Sequence, residues 1–169
     1  MRMLERDKQI IYYALYEGVE EVQKDGVYTG ARKKVYGNVT EVKMPISGAR
    51  TAYGFVANVV TMDIFGMDKP YSKTMWTEDM DCPITEETIV WLNQGKLSEY
   101  SEQTEYQSGD KVIYDGKIYA YNSQSSSHGE FDPSLWALVP HNHIVTGISL
   151  SPNSIGYALK EVDFRESSN

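Results

Sequence analysis

Apolar and polar positions alternate along this chain with a period of two, in short runs broken by Gly, Asn, Asp and Pro. Such spacing sends successive side chains to opposite faces of an extended strand. Residues 154–162 place Ile155, Tyr157 and Leu159 on one side; residues 143–150 place Ile144, Thr146, Ile148 and Leu150 on one side, and Pro152-Asn153 turns between the two. A third run, residues 39–46, puts Val42, Met44 and Ile46 on one face, with Pro45 assigning part of it to a sheet edge. Residues 9–16 read as a buried strand that Gly18 ends, and Asp25-Gly26 marks a turn before a strand over 27–35, so the two predict a hairpin. Strands are also expected at 63–67 and 72–77, around the turn Asp68-Lys69-Pro70, and at 88–92 after a loop over 78–83. Residues 47–61 are the least regular, a long loop or a short helix. Long helical periodicity and internal repeats are missing, and Ser123 to Ser127 is a polar loop tip. The predicted fold is all-β: a small barrel or open sandwich, residues 1–96 and 140–169, interrupted by a small three-stranded β-module over 97–139.

Composition sharpens that division. The 169 residues suffice for one core and a small satellite. Between residues 98 and 139 seven acids stand against two bases, a net of -5 out of the chain's -8, and seven of its twenty aromatics lie there too. The insert therefore has the makings of its own core and is expected to fold semi-independently. No apolar run approaches the roughly 20 residues that cross a bilayer, and no secretory signal pattern opens the chain, so a soluble protein made inside a cell is expected. The acidic balance argues against a dedicated nucleic-acid binder, whose footprint is a basic stripe.

Candidate chemistry is sparse. His141-x-His143 could share one strand face and hold a metal, but no third ligand is visible, and a hinge with two solvated histidines is the better reading. His128, in the serine-rich loop, is expected to be exposed. Cys82, the single cysteine, sits among acids that would raise its pKa, which suits a small buried hydrophobe better than a nucleophile. Glu78, Asp79, Asp81, Glu86 and Glu87 raise the possibility of paired glycosidase carboxylates; about 120 residues of short strands leave no room for a substrate cleft. The expectation is no enzyme, no cofactor and no metal. The basic run Arg32, Lys33, Lys34 is either the solvated face of a hairpin or a contact for DNA or an acidic neighbour. With Asp79 and Asp81 as its complement, it predicts head-to-tail packing between subunits.

Three stretches carry a resemblance: IIYYALYEG at residues 10–18, TEDMDCPITEETIVW at 77–91, and PHNHIV with SPNSIGYALKEV within 140–162. Together they resemble the head-closure proteins of siphophages infecting Gram-positive bacteria. Two departures stand out: His143 occupies a position where Tyr is usual, and Ser151-Pro152 replaces a more basic, proline-free approach to the turn. The resemblance covers roughly two-thirds of the chain, judged by the body it spans. It implies a structural virion protein of the phage neck. Rings of such subunits, commonly hexameric, dock beneath portal and adaptor, retain packaged DNA, and present a platform to the tail terminator. DNA is then met only by proximity. Residues 47–61 correspond to the segment that projects toward the DNA channel, which nominates Ser47, Arg50, Tyr53, Phe55 and Asn58.

A second resemblance lies in the insert. Tyr106-x-x-Gly109-Asp110-x-Val112-x-Tyr114-x-Gly116-x-x-Tyr119, followed by Pro133 and Trp136, is similar to the chitin/cellulose-binding module of families 5 and 12. Its turns come from Gly109-Asp110 and Asp115-Gly116, and its core from Val112, Tyr114, Tyr119 and Trp136. That family stacks sugars on adjacent Trp residues just after the Tyr119 strand, where this chain has Asn122-Ser123. Tyr121 and Phe131 remain as possible glycan contacts. The insert is otherwise expected to be a surface decoration or a contact with tail tube or capsid. An accessory carbohydrate-binding protein is the alternative function.

Overall fold

The computed structural model describes residues 4–48 and 71–162. In chain order the strands are β1 (Lys8–Ala14), β2 (Tyr16–Lys24), β3 (Val27–Tyr36), β4 (Thr40–Gly48), β5 (Lys73–Thr77) and β6 (Ile89–Trp91). Then follow β7 (Ser98–Glu99), β8 (Lys111–Tyr114), β9 (Lys117–Tyr121), β10 (Trp136–Leu138), β11 (His143–Ser151) and β12 (Ser154–Glu161). Six of them close an antiparallel barrel in the order β1-β4-β5-β12-β11-β6, which confirms the all-β body. Ile11, Met44, Met75, Val90, Val145, Tyr157 and Leu159 fill its interior, with Ile155, Tyr13 and Leu92. Burying each of these large side chains stabilises the barrel by about 1.5–3 kcal/mol.

β1 and β6 are buried on both faces. In β1, Ile11 and Tyr13 point into the barrel while Tyr12 and Ala14 pack outside it; in β6, Val90 points in while Ile89 and Trp91 pack outside. Continuous apolar runs such as IIYYA and IVWL are what two covered faces require. The cover is the insert, a sheet in the order β10-β9-β8-β7. It has four strands rather than the expected three, because the two-residue β7 adds a parallel rung to β8. One face of this sheet makes its own aromatic core from Tyr106, Val112, Tyr121 and Trp136. The other presents Ile118, fully buried, and Ile113 to the outside of β1 and β6. Polar contacts stitch the seam: the Leu97 amide donates to the Tyr12 hydroxyl (2.7 Å), Trp91 Nε1 to the Val139 carbonyl (3.0 Å), and the Val39 amide to the Gly116 carbonyl (2.8 Å).

The hairpin around Asp25-Gly26 exists, but its first strand is not the run at 9–16. The chain leaves the barrel at Ala14, and β2 starts afresh at Tyr16 to pair with β3. Gly18 does not end a strand; it forms a bulge within β2 at φ +132°. Asp25 and Gly26, at φ +54° and +80°, supply the two left-handed residues of a tight hairpin turn. Pro45 marks the point where β4 changes partners within the closed barrel: it is on the last rung with β1 and has no rung with β5, whose pairing begins at Ile46, so the strand is paired on one side only at the proline. In β11 a bulge between Val145 and Gly147 inserts one residue, Thr146, and inverts the alternation. Before the bulge the inward residues are His143 and Val145; after it Ile148 packs on the barrel core, as its spacing predicts, and Leu150 is 74% exposed. The expected strand at 63–67 lies outside the described residues.

Candidate functional site: a projecting hairpin and the groove at its base

β2 and β3 pair with each other and, among the described residues, with no other strand. Ten residues at about 3.3 Å each give an arm of roughly 30 Å, and nearly every residue beyond its base is exposed. Isolated two-stranded hairpins are marginal in water, yet this one leaves Val19, Val22, Val27 and Tyr28 uncovered. The basic run predicted as a subunit contact sits here. Arg32 is opposite Glu21 and Lys33 opposite Glu20, so the ribbon offsets part of its own charge. Lys34 pairs with Glu87 at 3.4 Å, an exposed ion pair worth about 0–1 kcal/mol.

At the arm's base a groove of about 590 Å³ opens between β3, the barrel and the insert. Ala14, Ile89, Trp91 and Ile118 form its floor; Val35 and Tyr36 form one wall, Leu138, Pro140 and His141 the other. Sequence reasoning missed it because its residues come from β1, β3, β6, β9 and β10. His141 is half-buried, not solvated, with its ring 6.1 Å from that of Trp91 and 6.4 Å from that of Tyr36. Burial lowers its pKa, which favours the neutral ring. Lys33, Lys34 and Lys117 rim the groove with Glu20.

Asp79 and Asp81 lie elsewhere, on a tight turn after β5. The Asp79 amide donates to Thr77 Oγ1 and the Asp81 amide to Asp79 Oδ1, both at 3.0 Å, and the Cys82 amide reaches the Asp79 carbonyl at 3.3 Å. Met80 stands at the tip, 46% exposed. Cys82 is half-buried against the barrel core. Among the described residues no ion pair joins this turn to the hairpin.

In the insert, Tyr121 is only 2% exposed and its hydroxyl donates to the Ser125 carbonyl at 2.7 Å, so it belongs to the core and offers no face to a sugar. Phe131 is half-buried and stacks on Tyr114 with centroids 3.9 Å apart. Tyr114, assigned to the core by its spacing, is instead exposed at the end of β8. Of the channel-facing candidates, Ser47 belongs to β4, exposed and opposite Thr74, rather than to a loop. Arg50, Tyr53, Phe55 and Asn58 lie outside the described residues.

His143 is 3% exposed rather than solvated. The Asn142 side chain is oriented by two bonds to Leu92, its Oδ1 accepting from the amide and its Nδ2 donating to the carbonyl, each 2.9 Å. Asn142 Oδ1 is thus an acceptor, and His143 Nδ1, 2.7 Å away, is the donor. That leaves Nε2 unprotonated and without a partner. Burial, reinforced by Lys73 and opposed by Glu161, lowers the His143 pKa to about 4. No group of three or more His, Cys, Asp or Glu suited to a metal occurs among the described residues, and no helix among them is long and apolar enough to cross a membrane. Comparison with protein-family models, curated proteins and solved structures finds no match to this chain.

Proposed function

We propose that this chain is a non-catalytic assembly subunit of a tailed-phage neck, a head-closure or stopper protein that works as a ring. The observation that carries the assembly reading is the β2–β3 arm: a long ribbon whose outer edges pair with no other strand among the described residues, and whose apolar side chains are exposed, is a poor solitary structure and a ready surface for association. The neck assignment is supported by the resemblance at residues 10–18, 77–91 and 140–162. These stretches supply β1, β6, β11 and β12, four successive strands of the barrel wall. On this reading the partners are further copies of the chain, as a hexamer, with the adaptor and the tail terminator above and below; DNA passes through the ring, and the mature location is the virion.

A second reading, an accessory glycan-binding protein, draws on the insert, where Tyr114 and Phe131 are now the pair to consider. Two measurements separate the readings. Native mass spectrometry over a concentration series, alone and with portal–adaptor complexes, is expected to give rings that dock on the adaptor. Retention on chitin or cellulose by a protein that stays monomeric and ignores the adaptor would instead establish the accessory role.

A further inference from the structure

We propose that the groove at the base of the hairpin receives the Met80 turn of a second copy of this chain, Met80 entering over Trp91 while Asp79 and Asp81 meet Lys33 and Lys117. This rests on the reading of the chain as a self-assembling subunit and names the contact through which it assembles.

Charge is the first argument. The protein carries -8 overall, yet the groove rim has three lysines against one glutamate. Lys34 is engaged by Glu87, and Lys33 stands opposite Glu20, which offsets part of its charge; with Lys117, also exposed, the rim keeps a net positive charge for an incoming anion. An occupant should therefore be an apolar group flanked by carboxylates. The Asp79-Met80-Asp81 turn has that composition, and all three residues are exposed.

Preorganisation is the second. Three hydrogen bonds already hold the turn, so docking it costs little further ordering of the backbone. A thioether also suits a groove walled by Tyr36 and floored by Trp91, since methionine sulfur packs favourably against aromatic rings.

Topology is the third. In the six-stranded order, β5, from which the turn leaves, lies three places from β6 in either direction, directly across the barrel. β6 floors the groove. Knob and groove are different surfaces of one molecule, and among the described residues no ion pair joins them. A contact between two unlike surfaces is heterologous, the kind that closes into a ring or continues as a filament.

The test uses the full-length chain in sedimentation velocity and native mass spectrometry. One variant is Met80→Asp, which spoils the knob; the other is Lys33→Glu with Lys117→Glu, which spoils the rim. All three positions are exposed, and circular dichroism checks that the fold is kept. Each variant alone is expected to associate at least about tenfold more weakly than the wild type. Their equimolar mixture retains one good knob and one good groove per pair, so it should give heterodimers and nothing larger. If the wild type forms rings and both variants do so equally well, this contact is wrong while self-assembly stands. Full-size rings from the mixture would overturn the contact as well. A wild type that stays monomeric at millimolar concentration would remove both the contact and the self-assembly on which it rests.

Discussion

Replacing Ile118 by Ala tests how the insert is joined to the barrel. Ile118 belongs to β9 in the insert, but its neighbours are Tyr12 and Ala14 of β1, Ile89 and Trp91 of β6, and Leu97. It is fully buried, and the substitution should cost about 2–5 kcal/mol, the transfer free energy of the lost methyl groups plus that of the cavity. That is a large share of the ~5–15 kcal/mol by which a domain is stable. Because the cavity opens on both units, barrel and insert should lose stability together. Urea denaturation followed by tryptophan fluorescence reports on both, since Trp91 lies in the seam and Trp136 in the insert core. The expected result is one transition for both, moved to lower urea in the Ile118→Ala protein. Trp136→Ala should also move the common transition rather than melt the insert alone. By the same reasoning, replacing 96–139 with a short turn would re-expose Ile89 and Trp91, about 3–6 kcal/mol between them, and leave the barrel poorly soluble. Two separate transitions, with only the insert's affected by Ile118→Ala, would refute the coupling.

Lowering the pH should destabilise the protein through His143. Its folded pKa, about 4, lies below the ordinary 6.5, so its contribution is fully present above about pH 6.5 and is lost as the pH falls toward 4. The loss is about 3 kcal/mol in all, at up to about 1.4 kcal/mol per pH unit, and His143→Phe should flatten the stability profile over that window; an unchanged profile would contradict the assignment. Asn142→Ala should cost about 2–4 kcal/mol in urea melts, because it strands the amide of buried Leu92 and the Nδ1 hydrogen of His143, while the Leu92 carbonyl keeps its bond from Gln94 Nε2. Gly116→Ala should destabilise by more than Gly26→Ala. Both glycines have left-handed φ, +71° and +80°, but only at Gly116 would a Cβ run into a neighbour, the Asn38 side chain. Equal thermal shifts would mean that this approach is of no consequence.

What the sequence made legible and what it hid divide along physical lines. The inward set of β12, Ile155, Tyr157 and Leu159, followed from alternation alone because β12 itself carries no extra residue and its ladder with β5 is regular. β11 has the same pattern, but Thr146 is an extra residue, and one insertion reverses the face of everything on one side of it. Gly147, an isolated glycine inside the strand pattern, is the local signal of that bulge. The break at Leu15 was silent, since apolar residues continue through it into Tyr16. In the insert, composition and turn glycines located the unit, whereas the exchange of roles between Tyr114 and Tyr121 depended on which strand end the covering loop reaches. The groove was out of reach for a further reason: its floor looked like core, and strand spacing does not tell a residue buried under a neighbouring unit from one beside an open cleft.

The position of the insert explains how a barrel accommodates it. β6 and β11 are adjacent and antiparallel, so a short turn would be enough to join them; the insert occupies that connection. Closing a longer loop costs only about 0.6 kcal/mol for each doubling of its length, provided that both ends stay in register. Asn142 meets that condition. Its side chain bonds both the amide and the carbonyl of Leu92, its amide donates to Val90, and its carbonyl accepts from Val162. One residue thus fastens the exit of the insert to its entrance and to the end of β12. With the ends fixed, the sheet between them can fold down onto β1 and β6, and Ile118 then covers an outer face that a bare barrel would leave to water. The groove follows from the same geometry, because the insert and the β3 arm approach β6 from two sides and do not meet above Trp91.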